Sequence, residues 1–232
     1  MAARSGWRGL QAGRDAPRRA GTARAQEVVK RALDLAVAAV LLLLLSPLLL
    51  VVALLVRATT PGPALFRQTR LGHRERPFTV FKFRTMWVGG DDSAHRRYVA
   101  QLLNEASPPF GGRPGLYKLV GDPRVTPLGA LLRRTSLDEL PQLLNVLRGE
   151  MSLVGPRPAQ PWEVELFHPH YRARFLVKPG ITGLWQVSGR NRMTMRQALD
   201  LDVRYVETHS LGLDLSIIWR TIPVVLRRTG AA

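Results

Sequence analysis

The 232-residue chain contains no cysteine, which excludes a disulfide framework, a thiolate zinc site and a cysteine nucleophile. Acidic residues are scarce beside basic ones, 17 Asp and Glu against 34 Lys and Arg, and the net charge is +17 at pH 7. Lysine is scarce too: with only Lys30, Lys82, Lys118 and Lys178, arginine carries the excess. A surplus of this size asks for an anionic partner: nucleic acid, an anionic membrane surface or a phosphorylated substrate. Arginine suits phosphate recognition, and a GC-rich genome produces the same bias. There is no internal repeat. A composition of 46% hydrophobic and 22% charged residues excludes a globally disordered or collagen-like chain.

Long apolar runs are nearly absent as well. The one exception is Leu35–Val56, which is free of charge and as a straight helix would be roughly 33 Å long, enough to span a bilayer core. Two features complicate a simple span. Pro47, after Ser46, removes a backbone hydrogen bond at the middle and predicts a sharp bend. The flanks have no charge asymmetry: residues 1–31 carry eight Lys/Arg and two acids, residues 57–90 seven and one, so each flank is net +6. The positive-inside rule then asks both ends to stay in the cytoplasm. A re-entrant helix satisfies both flanks, and a proline-containing span remains open. Residues 1–26, small and Arg-rich without apolar period, read as a disordered basic arm suited to anionic membrane lipid.

Beyond the apolar run, residues 64–86 read as a β-hairpin turning at Gly72–Pro77. Phe81 and Phe83 share one face of its second strand, while Val80, Lys82 and Arg84 share the other. Lys82 and Arg84 then form a cation pair about 7 Å apart that suits a diphosphate or a solvated face. His95–Glu105 has helical spacing at Tyr98, Val99, Leu102 and Leu103, and Ser107–Gly115 reads as a loop. Leu211, Leu215, Ile218, Ile222 and Val225 predict a C-terminal helix, interfacial or buried, with Pro223 kinking it.

Candidate chemistry concentrates between Gly121 and Pro158. Leu140, Leu143, Leu144 and Leu147 predict one apolar helix face, with Asp138 and Glu139 at its start. A capping box at Ser136 and Glu139 conflicts with Pro141, which would delete an internal hydrogen bond. A helix start at Asp138–Leu140 fits better. It places Asp138 at a helix entrance where phosphate binds or as a plain N-cap, with Arg133 and Arg134 upstream. Gly155-Pro156-Arg157-Pro158 presents Arg157 from a stiff segment, either as a phosphate grip or as a rigid surface turn. In the glycine-rich stretch 178–190, Trp185 and Gln186 are candidates to hold a base or sugar. His168 and His170 lack a nearby third metal ligand.

The motifs Lys-Phe-Arg-Thr-Met (82–86), Thr-Ser-Leu-Asp-Glu-Leu-Pro-Gln-Leu (135–143), Met-Ser-Leu-Val-Gly-Pro-Arg-Pro (151–158) and Lys-Pro-Gly-Ile-Thr-Gly-Leu-Trp-Gln-Val-Ser-Gly-Arg (178–190) closely resemble the bacterial sugar transferases. These are monotopic polyprenyl-phosphate phosphoglycosyl transferases, and the resemblance runs from about Val28 to Arg228. It implies an α+β, mainly helical, monotopic membrane protein with a re-entrant helix broken at Ser46-Pro47 (27–57), a small β-hairpin and interfacial amphipathic helices. Residues 58–232 would form a catalytic domain on the cytoplasmic face of the bacterial inner membrane. The implied reaction moves a sugar-1-phosphate from a UDP-sugar to undecaprenyl phosphate and releases UMP, which starts exopolysaccharide, capsule, O-antigen or glycoconjugate synthesis.

By position, Asp138 resembles the nucleophile that forms an aspartyl phosphosugar. Glu139 resembles its partner, positioning Mg²⁺ together with Asp138 or helping to deprotonate the acceptor. Arg133 matches a phosphate-binding arginine, and Lys82, Arg84 and Arg157 lie in motifs on the substrate side. Longer members carry further N-terminal transmembrane helices and a nucleotide-binding-like domain, so this sequence is expected to hold the catalytic unit alone. Its stretch Met86–Lys118 is longer than in the smallest members and is expected to bear on sugar choice. Self-association is left open. Two other classes compete. A basic membrane-anchored adaptor has no need of adjacent Asp138 and Glu139. A nucleic-acid binder is disfavoured by the apolar run and by the lack of a clustered basic helix or aromatic stacking motif.

Overall fold

The computed structural model describes residues 16–104, 122–189 and 193–226. The expected loop Ser107–Gly115, together with Arg190, Arg227 and Arg228, lies outside them. The described chain is mainly helical with two small sheets, which agrees with the α+β reading.

Helix α1 (Ala16–Thr59) runs through the whole apolar segment with Pro47 inside it. It begins within the stretch expected as a disordered arm, and its hydrogen-bonded course is not interrupted at Ser46-Pro47. The reason is local. Pro47 has no N–H for the Leu43 carbonyl, and the Ser46 hydroxyl donates to that oxygen instead, at 2.8 Å. Asp34, Ala38, Val52 and Val56 make the buried face. Between them the helix is largely exposed, with Leu43, Leu44, Leu50 and Val51 facing outward. Among the described residues, Ala25–Thr59 is the one segment long and apolar enough to cross a membrane.

Strands β1 (Leu65–Leu71) and β2 (Pro77–Phe83) form the expected antiparallel hairpin, with Phe66 opposite Lys82 and Gln68 opposite Val80. The turn between them holds Arg74 and Glu75 at φ of 57°, an uncommon left-handed conformation for non-glycine residues. Helix α2 (Ser93–Asn104) buries Tyr98, Val99, Leu102 and Leu103 as its periodicity predicts. They pack with Phe167, Phe175, Met195 and Leu199 in one core cluster.

Helix α3 (Pro127–Thr135) starts on Thr126, whose side chain accepts from the Gly129 N–H, and lies against the end of β2. A Cβ on Gly129 would stand 2.1 Å from the Thr85 carbonyl oxygen, so only glycine permits this approach. The chain continues as a 3-10 segment, Leu137–Gln142, and then helix α4 (Leu143–Arg148). The α-helix therefore begins later than Asp138–Leu140, because Pro141 falls inside the tighter turn. Of the predicted apolar face, Leu143 is buried, but Leu144 is exposed and Val146 takes an inner place.

The stretches 151–154 and 178–183 are brought together as a parallel pair, β3 (Ser152–Val154) and β4 (Gly180–Thr182). Between them lies the short helix α5 (Pro161–Glu165), and a 3-10 segment spans Pro169–Leu176. Helices α6 (Leu184–Ser188), α7 (Met195–Thr208) and α8 (Leu211–Leu226) complete the order. Helix α8 is apolar on two sides: Ile217 is fully buried, while Leu215, Trp219 and Ile222 are exposed.

Candidate active site

The cavity that gathers the motif residues has a volume of about 630 Å³. Its walls come from β1, β2, the end of α3, the 3-10 segment, the Arg157 turn and α6. Ser136 sets the central corner. Its φ of 57° ends α3 and turns the chain sharply into Leu137–Gln142. Arg133 on one element and Asp138 and Glu139 on the next then face the same space. Ser136 makes no side-chain cap, so the capping-box alternative is absent.

Asp138 is 8% exposed. It does not stand at the mouth of a long α-helix, as the sequence suggested, since a six-residue 3-10 turn surrounds it. The positive field around it comes from side chains instead. The Lys82 ammonium donates to Glu139 Oε1 at 2.7 Å, and Arg157 reaches the same oxygen at 3.4 Å. Arg133 donates from Nε to Thr85 Oγ1 at 2.8 Å. Burial pulls the Lys82 ammonium below its ordinary pKa, with Glu139 opposing and Arg157 reinforcing the fall. Burial likewise lowers Arg133, and Asp138 opposes it.

Arg84 behaves differently from the expected partner of Lys82. Its guanidinium donates to the carbonyls of Pro61 at 2.6 Å and Thr60 at 2.8 Å, and to Thr60 Oγ1 at 2.7 Å. It closes the C-terminal end of α1, although the residue also lines the cavity.

Arg157 is held from behind. Gly155 donates to the Thr182 carbonyl and Gly180 to that of Pro156, each at 2.9 Å. The two backbones approach so closely that a Cβ on Gly180 would lie 2.1 Å from Gly155 N. Arg174 donates to the Arg157 carbonyl oxygen at 2.6 Å and to Asp202 Oδ2 at 2.6 Å. Asp202 is buried, which pushes its carboxyl up to about 6 against the pull of Arg174. Just upstream, the Val154 carbonyl accepts from Lys30 at 3.4 Å and Tyr205 at 3.2 Å. Both also bind Asp214, Lys30 at 2.5 Å and Tyr205 at 2.7 Å. Helix α1, helix α8 and the strand leading into Arg157 thus share one polar knot.

Trp185 and Gln186 also line the cavity. The sequence reading missed a further part of the lining. There Gln68 Nε2 donates to Gln160 Oε1 at 2.8 Å, and Arg70 donates to Gln68 Oε1 at 2.6 Å and to the Pro158 carbonyl at 3.1 Å. The alternation Phe66, Gln68, Arg70 in β1 was the available signal, because it places the two polar groups on one face. Arg174 and Asp202 had no signal, since their pairing joins distant segments.

Among the described residues no group of three or more His, Asp or Glu converges as a metal cage. Mg²⁺ is commonly bound by one or two carboxylates together with substrate phosphates. The adjacent carboxylates Asp138 and Glu139 in a cation-rich cavity match that donor set when a diphosphate supplies the remainder.

The sequence profile of the family described as bacterial sugar transferase matches residues 25–228. The exopolysaccharide production protein ExoY of Rhizobium meliloti (strain 1021) is 41% identical over 211 residues, covering 88% of this chain and 88% of that protein. The UDP-glucose:undecaprenyl-phosphate glucose-1-phosphate transferase of Caulobacter vibrioides is 43% identical over 215 residues, covering 89% of this chain and 73% of that protein. The undecaprenyl-phosphate galactose phosphotransferase of Salmonella typhimurium is 39% identical over 211 residues, covering 90% of this chain and 42% of the longer protein.

Proposed function

The chain belongs to the bacterial sugar transferase family and is a phosphoglycosyl transferase, and from that premise we propose that it forms a covalent sugar-phosphate intermediate on Asp138. A UDP-sugar is the donor and undecaprenyl phosphate the acceptor, as the name of the Caulobacter vibrioides relative states for that protein. The product begins an exopolysaccharide or related glycan.

In the first step a carboxylate oxygen of Asp138 attacks the phosphorus that carries the sugar. The bond from that phosphorus to the bridging oxygen breaks, and UMP leaves with the electron pair. In the second step a phosphate oxygen of the polyprenyl phosphate attacks the same phosphorus and displaces the Asp138 carboxylate. Splitting one transfer into two displacements is the general gain of covalent catalysis. Arg133, Lys82 and Arg157 bind the diphosphate oxygens, and Lys82 and Arg157 exchange Glu139 for phosphate as the donor enters. Glu139 positions the phosphates or takes the acceptor's proton. Asp138 and Glu139 are the residues that would hold Mg²⁺, which offsets diphosphate charge when bound.

The observation that carries this reading is the juxtaposition of a buried carboxylate, Asp138, with a carboxylate already held by Lys82 and Arg157 in one cavity. UDP-sugar and Mg²⁺ without acceptor are expected to release up to one UMP per enzyme and to leave labelled phosphosugar on the protein. EDTA is expected to stop turnover and added Mg²⁺ to restore it. An unlabelled protein whose reaction requires both substrates together would replace this scheme with direct in-line transfer.

The same proposal seats α1 as a re-entrant helix on the cytoplasmic face of the inner membrane. Pro47 lies about two and a half turns from both Ala38 and Val56, on the face opposite the buried one. A proline ring pushes away the preceding turn on its own side, so the bend closes toward the catalytic body. The Ser46–Leu43 bond supplies in advance a partner that lipid cannot. The outward stripe Leu215, Trp219, Ile222 on α8 suits the interface. Reporters at both termini are expected in the cytoplasm, and termini on opposite sides would replace re-entry with a span.

A further inference from the structure

Gln142 ends the 3-10 segment that carries Asp138 and Glu139, and it is 2% exposed. Its side-chain Nε2 is buried without a hydrogen-bond partner. An amide donor left in this state costs about 1–3 kcal/mol, so a buried glutamine here asks for a reason. Beside it lies a second cavity of about 10 Å³, lined by Lys82, Glu139, Gln142, Arg157, Pro158 and Gly180 among others. Lys82, Glu139 and Arg157 also line the large cavity, so the ion-paired carboxylate forms a wall common to both spaces.

The volume and chemistry of this small space narrow its occupant. Roughly 10–15 Å³ of probe-occupied volume accommodates a single water, and phosphate, sulfate and any organic group are too large. A metal or ammonium ion would meet the Lys82 and Arg157 charges at close range and could not accept the Gln142 N–H. An apolar filling would leave Nε2 unpaired. Water accepts from an amide and donates to a carboxylate, and both groups line the space.

We propose that this cavity binds one water molecule that accepts from Gln142 Nε2 and donates to the Glu139 carboxylate, which makes Gln142 a positioning residue for Glu139. The water site stands on the cavity and the amide alone; its effect on turnover rests on the reaction proposed above. Once Lys82 and Arg157 exchange Glu139 for phosphate, the water keeps the carboxylate in its orientation.

The test uses the full-length protein and its Gln142→Met variant, in which an unbranched side chain of similar length lacks the donor. High-resolution structures are expected to show a water peak within hydrogen-bond distance of Gln142 Nε2 and Glu139 in the wild type and none in the variant. With saturating acceptor, kcat is expected to fall about tenfold, the equivalent of one lost charge-assisted hydrogen bond, while the donor KM stays within about twofold, since the water never touches the donor. A wild-type structure without the peak, or with Nε2 bonded to a protein oxygen, overturns the site even if the variant fails to fold. A variant with wild-type kcat overturns the positioning role. A wild-type protein that shows the peak but releases no UMP from any UDP-sugar would sink the reaction scheme and leave the water site standing.

Discussion

At its Lys82 end, β2 sends an ammonium to a carboxylate that faces the cavity; two residues on, Arg84 sends a guanidinium to main-chain carbonyls that end a helix. Sequence spacing makes the two cations look like one diphosphate clamp. Their acceptors separate them. A carboxylate facing a cavity can be exchanged for an incoming phosphate. The Thr60 carbonyl at the helix end lies in a buried residue, and drawing Arg84 away would take its donor from it. Proximity to a pocket is thus a poorer guide to a cation's task than the nature of the oxygen it already holds.

The largest expected effect tests whether the exchangeable side of this contrast is catalytic at all. Asp138→Asn keeps size and surroundings and removes the nucleophile, so turnover and the UMP burst are expected to fall by about a thousandfold or more, with the melting temperature little changed. Crossing the two cations, Lys82 in β2 and Arg84 just past its end, gives the next effect. Arg84→Met is expected to destabilise the fold by about 2–4 kcal/mol, read by denaturant unfolding in detergent. Lys82→Met is expected to lower kcat/KM about a hundredfold with little loss of stability, the size of a lost charge-assisted contact in a partly buried site. If Arg84→Met proved stable but inactive and Lys82→Met unstable, the contrast would be reversed.

The pair behind Arg157 sharpens the contrast through pH. Asp202 has a folded pKa of about 6, above the unfolded value of about 3.9. Its protonated form is therefore favoured by folding. Its contribution, about 2–3 kcal/mol for a shift of this size, is complete below about pH 4 and is lost as the pH rises through about 6. Asp202→Asn cannot titrate, so the difference in unfolding free energy between pH 4.5 and pH 7 is expected to shrink in the variant. An unchanged difference would show that Arg174 keeps Asp202 ionised throughout. The smallest effect concerns Ser46. Ser46→Ala leaves the Leu43 carbonyl without its donor, and a stability loss of about 1 kcal/mol is expected, with catalysis in detergent unaffected.

The hairpin, α2 and the apolar run were readable because each depends on local periodicity: alternate residues in β2, and Tyr98, Val99, Leu102 and Leu103 on one helical face. The pocket residues Lys82, Asp138, Glu139 and Arg157 were readable because their motifs are contiguous, and Arg133 because it stands just upstream of one of them. What escaped was long-range. Nothing local says that 151–154 will pair with 178–183, or that Arg174 will reach the Arg157 carbonyl. The later start of α4 escaped for another reason. Pro141 signals that an α-helix cannot pass through it, but a 3-10 turn tolerates a missing N–H where i to i+4 geometry does not. The hold of Arg84 on the carbonyls of Thr60 and Pro61 was not legible because those partners carry no side-chain signature.

The corner built on Gly155, Gly180 and Gly183 has a consequence for how such a protein can change its diet. A Cβ at any of the three would stand within 2.4 Å of backbone atoms across the pair, so none of them can acquire a side chain without prising Arg157 from its seat. The part of the cavity lining where Gln68, Arg70 and Gln160 meet through exchangeable side-chain bonds carries no such restriction. Drift toward a new sugar is therefore more open at the Gln68 and Gln160 part of the cavity lining than at the glycine corner that holds Arg157 from behind, and a library that diversifies Gln68 and Gln160 should yield folded proteins with altered donor range far more often than one that diversifies the glycine corner.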